Sequence, residues 1–154
     1  MINIESIFVA IGLLFTAYEL HLNRRSEYIR IAHEYKNRYD TLSETRRDLF
    51  HFYLEKDFDL EKIRKIQPEI YDRIVSYEVK YMWLTFHEWL EGYVRKSIPR
   101  YIRKDWDYAI KSAFSNPVHQ QVWKTKLRNM DFWGYREFNK YIDEAIEKGK
   151  NARL

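Results

Sequence analysis

The chain has 154 residues, no Cys, and an aromatic content of thirteen Tyr, nine Phe and five Trp. The absence of Cys excludes disulfides, thiolate metal sites and a cysteine nucleophile, and the length suits one domain with its own core. The formal net charge of +4 is unevenly distributed, because residues 92–140 hold eleven Lys or Arg against four Asp or Glu, a local excess of +7. Any basic surface is therefore expected in that part of the chain.

The first predicted element is an apolar helix at the N-terminus. Residues 6–18, SIFVAIGLLFTAY, carry no charge and lie between Glu5 and Glu19. Thirteen helical residues cover only about 20 Å of the roughly 30 Å bilayer core, but residues 1–22 would cover about 33 Å with both acids near the interfaces. We predict a membrane-anchor helix over residues 1–22, whose embedded residues are Ile7, Phe8, Val9, Ile11, Gly12, Leu13, Leu14, Phe15 and Tyr18. A buried helix of a soluble bundle is the alternative reading of such a short run.

The charges around this run predict its orientation. Arg24, Arg25 and Arg30 are the first basic residues, and all follow the run, so the N-terminus is expected outside and the remainder in the cytoplasm. A cleaved signal peptide is disfavoured, since no basic segment precedes the run and no small-residue cleavage site follows it. The predicted organisation is a single-pass membrane protein with a cytoplasmic helical bundle over residues 23–150 and a tail over 151–154.

The rest of the chain reads as helical throughout. No Gly or Pro occurs between Asn23 and Leu54, so the first helix is predicted to continue to an acidic turn near Asp57. Its heptad-like seam is rich in Tyr, which is poor for a coiled coil and favours packing against other helices of the same chain. That seam consists of Tyr28, Ala32, Tyr35, Tyr39, Leu42, Arg46, Leu49 and Tyr53.

Proline and asparagine positions predict the later helix boundaries. Residues 60–66 form one or two helical turns, Pro68 opens a long helix that is apolar on two sides, and Pro99 breaks it. Asn116 followed by Pro117 is a helix-start signal, and an aromatic-rich helix comes last. No strand-like alternation occurs. The predicted fold class is an all-α bundle of four or five helices with a long N-terminal helix extending from the anchor.

An apolar N-terminal run, a basic long helix and the late segment NPVHQQVW…FWGYREFNKYIDEAI together resemble small bacterial membrane-anchored helical proteins of unknown function. The resemblance covers most of the chain in layout, through an Asn-Pro helix start, a Trp and an aromatic final helix. It implies a cytoplasmic helical domain on a single anchor, and it supplies no catalytic residues.

The five histidines are candidate catalytic or metal-binding groups. His33-Glu34 and His87-Glu88 each begin an HE pair, but neither has the second His one turn later that a zinc protease needs. Asp48 lies three residues before His51, yet a carboxylate-bridged di-metal bundle needs several such pairs. No metal and no cofactor is predicted.

The segment RRDLFH places Arg46 five residues before His51. This spacing resembles the Arg-x4–6-His signature of the all-α HEPN ribonucleases, in which the His would act as general acid or base and the Arg would stabilise phosphate charge. The residue after the Arg is here Arg47, where that family often has another polar residue. The alternative is that both residues lie on a solvated helix face.

A basic cluster is formed by Arg95, Lys96, Arg100, Arg103 and Lys104, interleaved with Tyr93, Tyr101 and Trp106. Such a cluster could contact anionic lipid headgroups, remain a solvated helix junction, or bind nucleic acid through phosphate contacts and stacking. With an anchor nearby, lipid contact is favoured over nucleic acid.

These features favour a non-enzymatic function. The leading hypothesis is a membrane-tethered helical interaction or scaffold protein that binds a protein partner or a membrane complex. The alternatives are an HEPN-like ribonuclease, acting as a toxin or defence effector, and a soluble oligomer assembled through its N-terminal helices.

Overall fold

The computed structural model describes residues 4–130, 132 and 134–151, with side chains for all of these except residues 4–8, 10 and 149–151. Every regular element in this part of the chain is helical, which confirms the predicted all-α class and the long N-terminal helix. The α-helices are α1 (Ile4–Arg46), α2 (Phe50–Leu54), α3 (Leu60–Ile66), α4 (Pro68–Trp89), α5 (Arg100–Ala113), α6 (Pro117–Val122) and α7 (Arg136–Asn151). Two π-helical segments, Leu90–Val94 and Trp123–Leu127, directly follow α4 and α6.

The chain divides into two compact units, Met1–Lys36 and Asn37–Leu154. The described part of the first unit is the N-terminal portion of α1. The second unit holds the end of α1 and helices α2–α7, and it contains the hydrophobic core.

Local sequence signals account for three helix starts. Pro68 is the first residue of α4, and the Asn116 side chain caps α6 by accepting a 2.9 Å hydrogen bond from the N–H of Val118. Asp59 caps α3 in the same way, accepting hydrogen bonds from the N–H groups of Glu61 and Lys62. A cap of this kind is typically worth about 1 kcal/mol. The predicted starts at Pro68 and Asn116 are confirmed.

The end of α1 differs from the prediction. The helix stops at Arg46, and a single 3₁₀ turn, Arg47–Leu49, leads into the short α2. Because a 3₁₀ turn has 3.0 residues per turn instead of 3.6, it rotates the side chains that follow it. Leu49 and Tyr53, which the predicted seam already placed inward, are buried, and so is Phe52. The prediction of one helix as far as Asp57 is wrong, although the seam residues of this part do pack inward.

Helix α4 is the centre of the second unit. Its buried residues come from both apolar stripes of its sequence and cover about 200° of the helix, whereas Asp72, Arg73, Ser76 and Lys80 form an exposed strip. At its C-terminal end the Phe86 ring lies 5.0 Å from the Phe138 ring and 5.6 Å from the Phe132 ring, between ring centroids. Trp89 packs against the same Phe138 ring. Aromatic pairs of this kind each contribute about 0.5–1.5 kcal/mol beyond the area they bury.

The predicted membrane anchor requires correction. Within the described part of the chain, no helix is long and apolar enough to cross a membrane. The single-pass localisation, with residues 1–22 as anchor and a cytoplasmic bundle, is therefore wrong. The uncharged run is only thirteen residues long, and α1 continues from it into charged sequence without a break. The side chains of Ile7 and Phe8, and residues 152–154 of the predicted tail, lie outside the described residues.

Candidate functional site

The apolar residues of the N-terminal helix are exposed. Their side chains range from 44% exposed at Leu22 to 71% at Leu14. The others in this group are Val9, Ile11, Leu13, Phe15, Tyr18, Leu20 and Ile29. Gly12 also faces open space, since a Cβ placed there would meet no atom within 4 Å. Contiguous exposed apolar surface of this kind marks a site of interaction with another protein or with a membrane.

Eight of these nine exposed side chains form two lines along α1, and Leu14 belongs to neither. At 100° per residue, Ile11, Phe15, Tyr18, Leu22 and Ile29 fall within an arc of about 60°. With Arg25 between Leu22 and Ile29, their spacing is 4, 3, 4, 3, 4. A second line, Val9, Leu13 and Leu20, lies on the opposite side of the helix.

The basic cluster separates into structural and exposed residues. The Arg103 guanidinium lies 5.0 Å from the centroid of the Tyr93 ring and donates a 3.4 Å hydrogen bond to the Gly92 carbonyl. Arg95 is paired with Glu91 at 2.5 Å. Both side chains thus support the turn between α4 and α5.

The remaining cations of the cluster, Lys96, Arg100 and Lys104, are exposed. Lys96 has φ = 53°, a left-handed conformation that is uncommon outside Gly. The turn that holds it is fixed by Ser97, whose N–H and hydroxyl both donate to the Glu91 carbonyl.

Two tyrosines on α5 are also exposed to solvent. Tyr101 is 65% exposed and Tyr108 is 77% exposed, and their seven-residue separation places them on one side of the helix. Sequence reasoning noted Tyr101 as part of the basic cluster but missed Tyr108, because periodicity alone did not show which face of α5 is buried.

The Arg46 and His51 side chains have different surroundings. The Arg46 guanidinium lies over three aromatic rings, 5.1 Å from the Tyr53 centroid, 5.7 Å from Phe50 and 5.8 Å from Tyr77. Cation–π contacts of this kind are worth about 0.5–2 kcal/mol. The exposed His51 packs against the neighbouring Phe52 ring, 3.9 Å between centroids. In the part of the chain that the structure describes, no hydrogen bond joins Arg46 to His51.

A buried polar cluster joins three helices and was not expected from the sequence. Glu78 of α4 is 0% exposed; its Oε1 accepts a 2.5 Å hydrogen bond from the Tyr53 hydroxyl, and its Oε2 lies 2.7 Å from Nδ1 of His119 on α6. Burial and the adjacent Glu78 raise the pKa of Tyr53. The cluster fixes α2 and α6 against α4, since each group would otherwise be buried without a partner.

A second buried carboxyl group lies ten residues beyond Glu78 along α4. Glu88 is 4% exposed, and its Oε2 accepts a 2.5 Å hydrogen bond from the hydroxyl of Tyr39 on α1. Burial raises the pKa of Glu88 to about 8, against a smaller opposing effect of the Tyr39 hydrogen bond. The carboxyl is therefore mostly protonated at neutral pH.

A partly buried aspartate links the C-terminal helices. Asp107 of α5 accepts a 2.6 Å hydrogen bond from the Tyr93 hydroxyl and a 2.8 Å hydrogen bond from the hydroxyl of Tyr141 on α7. These two hydrogen bonds join α5 to the segment after α4 and to α7.

The described residues offer little that resembles a catalytic pocket. Among them, no group of three or more His, Asp or Glu could hold a metal ion. Two clefts among these residues are open, with volumes of about 320 Å³ beside Asp72 and Lys80 and about 260 Å³ beside Glu44 and Arg47. Open clefts of this size do not enclose a small ligand as binding pockets do. The surfaces of α1 and α5 are the stronger candidates.

Comparison with known proteins gave no match to a family model, to a curated protein or to a solved structure.

Proposed function

We propose that this protein is a helical interaction protein that self-associates through the exposed apolar line of α1. The line consists of Ile11, Phe15, Tyr18, Leu22 and Ile29. It packs against the same line of a second copy of the chain. The single observation that carries this proposal is the exposure of these five side chains on a regular helix.

The spacing of the line supports a second copy over an unrelated partner. A repeat of 4, 3, 4, 3, 4 is the pattern with which two helices of the same sequence interdigitate their side chains. It extends over about 27 Å of helix, from Ile11 to Ile29. Arg25 interrupts the apolar line once, and a single polar residue at such a position favours one register at some cost in stability.

The opposite line, Val9, Leu13 and Leu20, extends the proposal. A two-stranded pair would leave this second line in water, where it remains available to further copies. Each copy in the assembly would then contribute one second unit, residues 37–154. An assembly with several such units suits a scaffold function.

The experiment is measurement of molar mass in solution by light scattering over a wide range of protein concentration. The monomer mass is 19.1 kDa, so association predicts multiples of that value which rise with concentration. Phe15→Glu places a charge within the line and removes a side chain whose full burial is worth about 1.5–3 kcal/mol. We expect the association constant to fall more than tenfold.

Ala17→Glu is the matched control, because it adds the same charge on the same helix but outside the arc of the first line. It should associate like the unmodified protein. A mass of 19.1 kDa at all concentrations for the unmodified protein would refute the proposal. Equal effects of both substitutions would show that the line is not the contact.

A further inference from the structure

We propose that the exposed face of α5 binds single-stranded nucleic acid, with Tyr101 and Tyr108 stacking on bases and Arg100, Lys104 and Lys111 contacting phosphates. This surface is separate from the self-association line of α1, and its test does not depend on that association.

The tyrosines are the first observation. At 65% and 77% exposed, they rank among the most exposed large side chains of the described residues. Their Cα positions are about 10.5 Å apart along the helix axis. An exposed Tyr ring is a sequence-tolerant stacking platform, because every base presents a flat aromatic face.

The arrangement of charge on the same helix is the second observation. At 100° per residue, the tyrosines run along the middle of the uncovered face. Arg100 and Lys104 are exposed, Lys111 is partly exposed, and all three fall on one side of the tyrosine line. Asp105, together with Ala109 and Ser112, falls on the other side.

This one-sided layout favours a nucleic acid strand over a membrane surface. A single strand has its phosphates along one edge and its uncharged bases along the other, matching cations on one flank of the tyrosines. An anionic bilayer would meet both flanks at once and would repel Asp105, whereas a carboxylate beside bases can accept hydrogen bonds from their amino groups. Double-stranded nucleic acid keeps its bases stacked, so it would leave both tyrosines unused.

Interactions inside the fold keep the cations of this face available. Asp107, the other acid of α5, falls beside Arg100 at the edge of the cation flank, where it is half-buried and accepts hydrogen bonds from Tyr93 and Tyr141. Ile110 anchors the opposite side of the helix in the core. The face is therefore held in place and carries a net positive charge.

The test is fluorescence anisotropy of a labelled oligo(U) of about 12 nucleotides with the full chain. Three phosphate contacts predict that log K falls with log salt at a slope of about −2. Tyr101→Ala and Tyr108→Ala should each weaken binding by about 5- to 150-fold, because each removes one stacked base. Tyr101→Phe and Tyr108→Phe keep the ring and should bind nearly as well as the unmodified protein.

Lys104→Gln should reduce the slope of log K against log salt by about 0.7. Lys65→Gln on α3 is the charge-matched control, because Lys65 is also exposed, and it should leave the slope unchanged. Circular dichroism establishes whether each variant is folded. If an alanine variant does not fold, the comparison of Lys104→Gln with Lys65→Gln tests the proposal in its place. Equal binding by the Ala and Phe variants would overturn the proposal. Absence of oligonucleotide binding would also overturn the proposal. The same holds if the protein binds phosphatidylserine vesicles and does not bind the oligonucleotide.

Discussion

The buried carboxyl of Glu88 predicts an unusual dependence of stability on pH. In the folded chain the pKa of Glu88 is raised from 4.5 to about 8 by burial, whereas in the unfolded chain it returns to its ordinary value. Between these two pKa values the folded state holds a proton that the unfolded state has released. The contribution of Glu88 to stability is therefore fully present below pH 4.5 and is lost as pH rises towards 8.

The size of the effect follows from the two pKa values. Each unit of difference corresponds to 1.36 kcal/mol, so the total loss is about 5 kcal/mol and the slope between the pKa values is about 1.4 kcal/mol per pH unit. Over the two units from pH 5.5 to 7.5 this gives about 3 kcal/mol. That is a large part of the 5–15 kcal/mol that stabilises a typical domain.

Glu88→Gln isolates this contribution, because Gln is neutral at every pH and its side-chain oxygen can still accept the hydrogen bond from Tyr39. The assay is urea unfolding of both proteins at fixed protein concentration and at several pH values from 5 to 8.5. Subtracting the two unfolding free energies removes the titration of the other groups, which the variants share. We expect the advantage of the Gln variant to grow by about 1.4 kcal/mol per pH unit and to level off near pH 8. A difference that stays constant with pH would refute the reasoning.

Three further substitutions test other parts of the structure. Asn116→Ala removes the cap of α6 and the 2.7 Å hydrogen bond to the Tyr53 carbonyl, and should lower the free energy of unfolding by about 1–2 kcal/mol, measured by urea unfolding. Glu78→Ala leaves His119 and the Tyr53 hydroxyl buried without their partner, so the same assay should give a loss of about 3 kcal/mol or more. His51→Ala alters an exposed side chain, so the thermal midpoint of the protein should change little. If the ribonuclease hypothesis is correct, the same substitution should abolish RNA cleavage.

The buried network shows why part of this structure was hidden from sequence reasoning. Glu78 and Glu88 lie within an amphipathic helix, where acidic residues normally indicate a solvated face. Their partners, Tyr39, Tyr53 and His119, are 25 to 49 residues away in sequence. Only the packing of α1, α2 and α6 around α4 brings these groups together, and helical periodicity carries no information about such distant pairs.

The sequence by itself determined the all-helical class, the long N-terminal helix and the starts of α4 and α6. These features depend on local causes: few Gly and Pro, proline at the first helical position, and an Asn that can cap the N–H two residues ahead. The tertiary structure decided where α1 ends, which face of α5 remains uncovered and which carboxyls are buried. Those outcomes depend on contacts between segments far apart in the chain, because burial is a property of the packed assembly and not of any one helix.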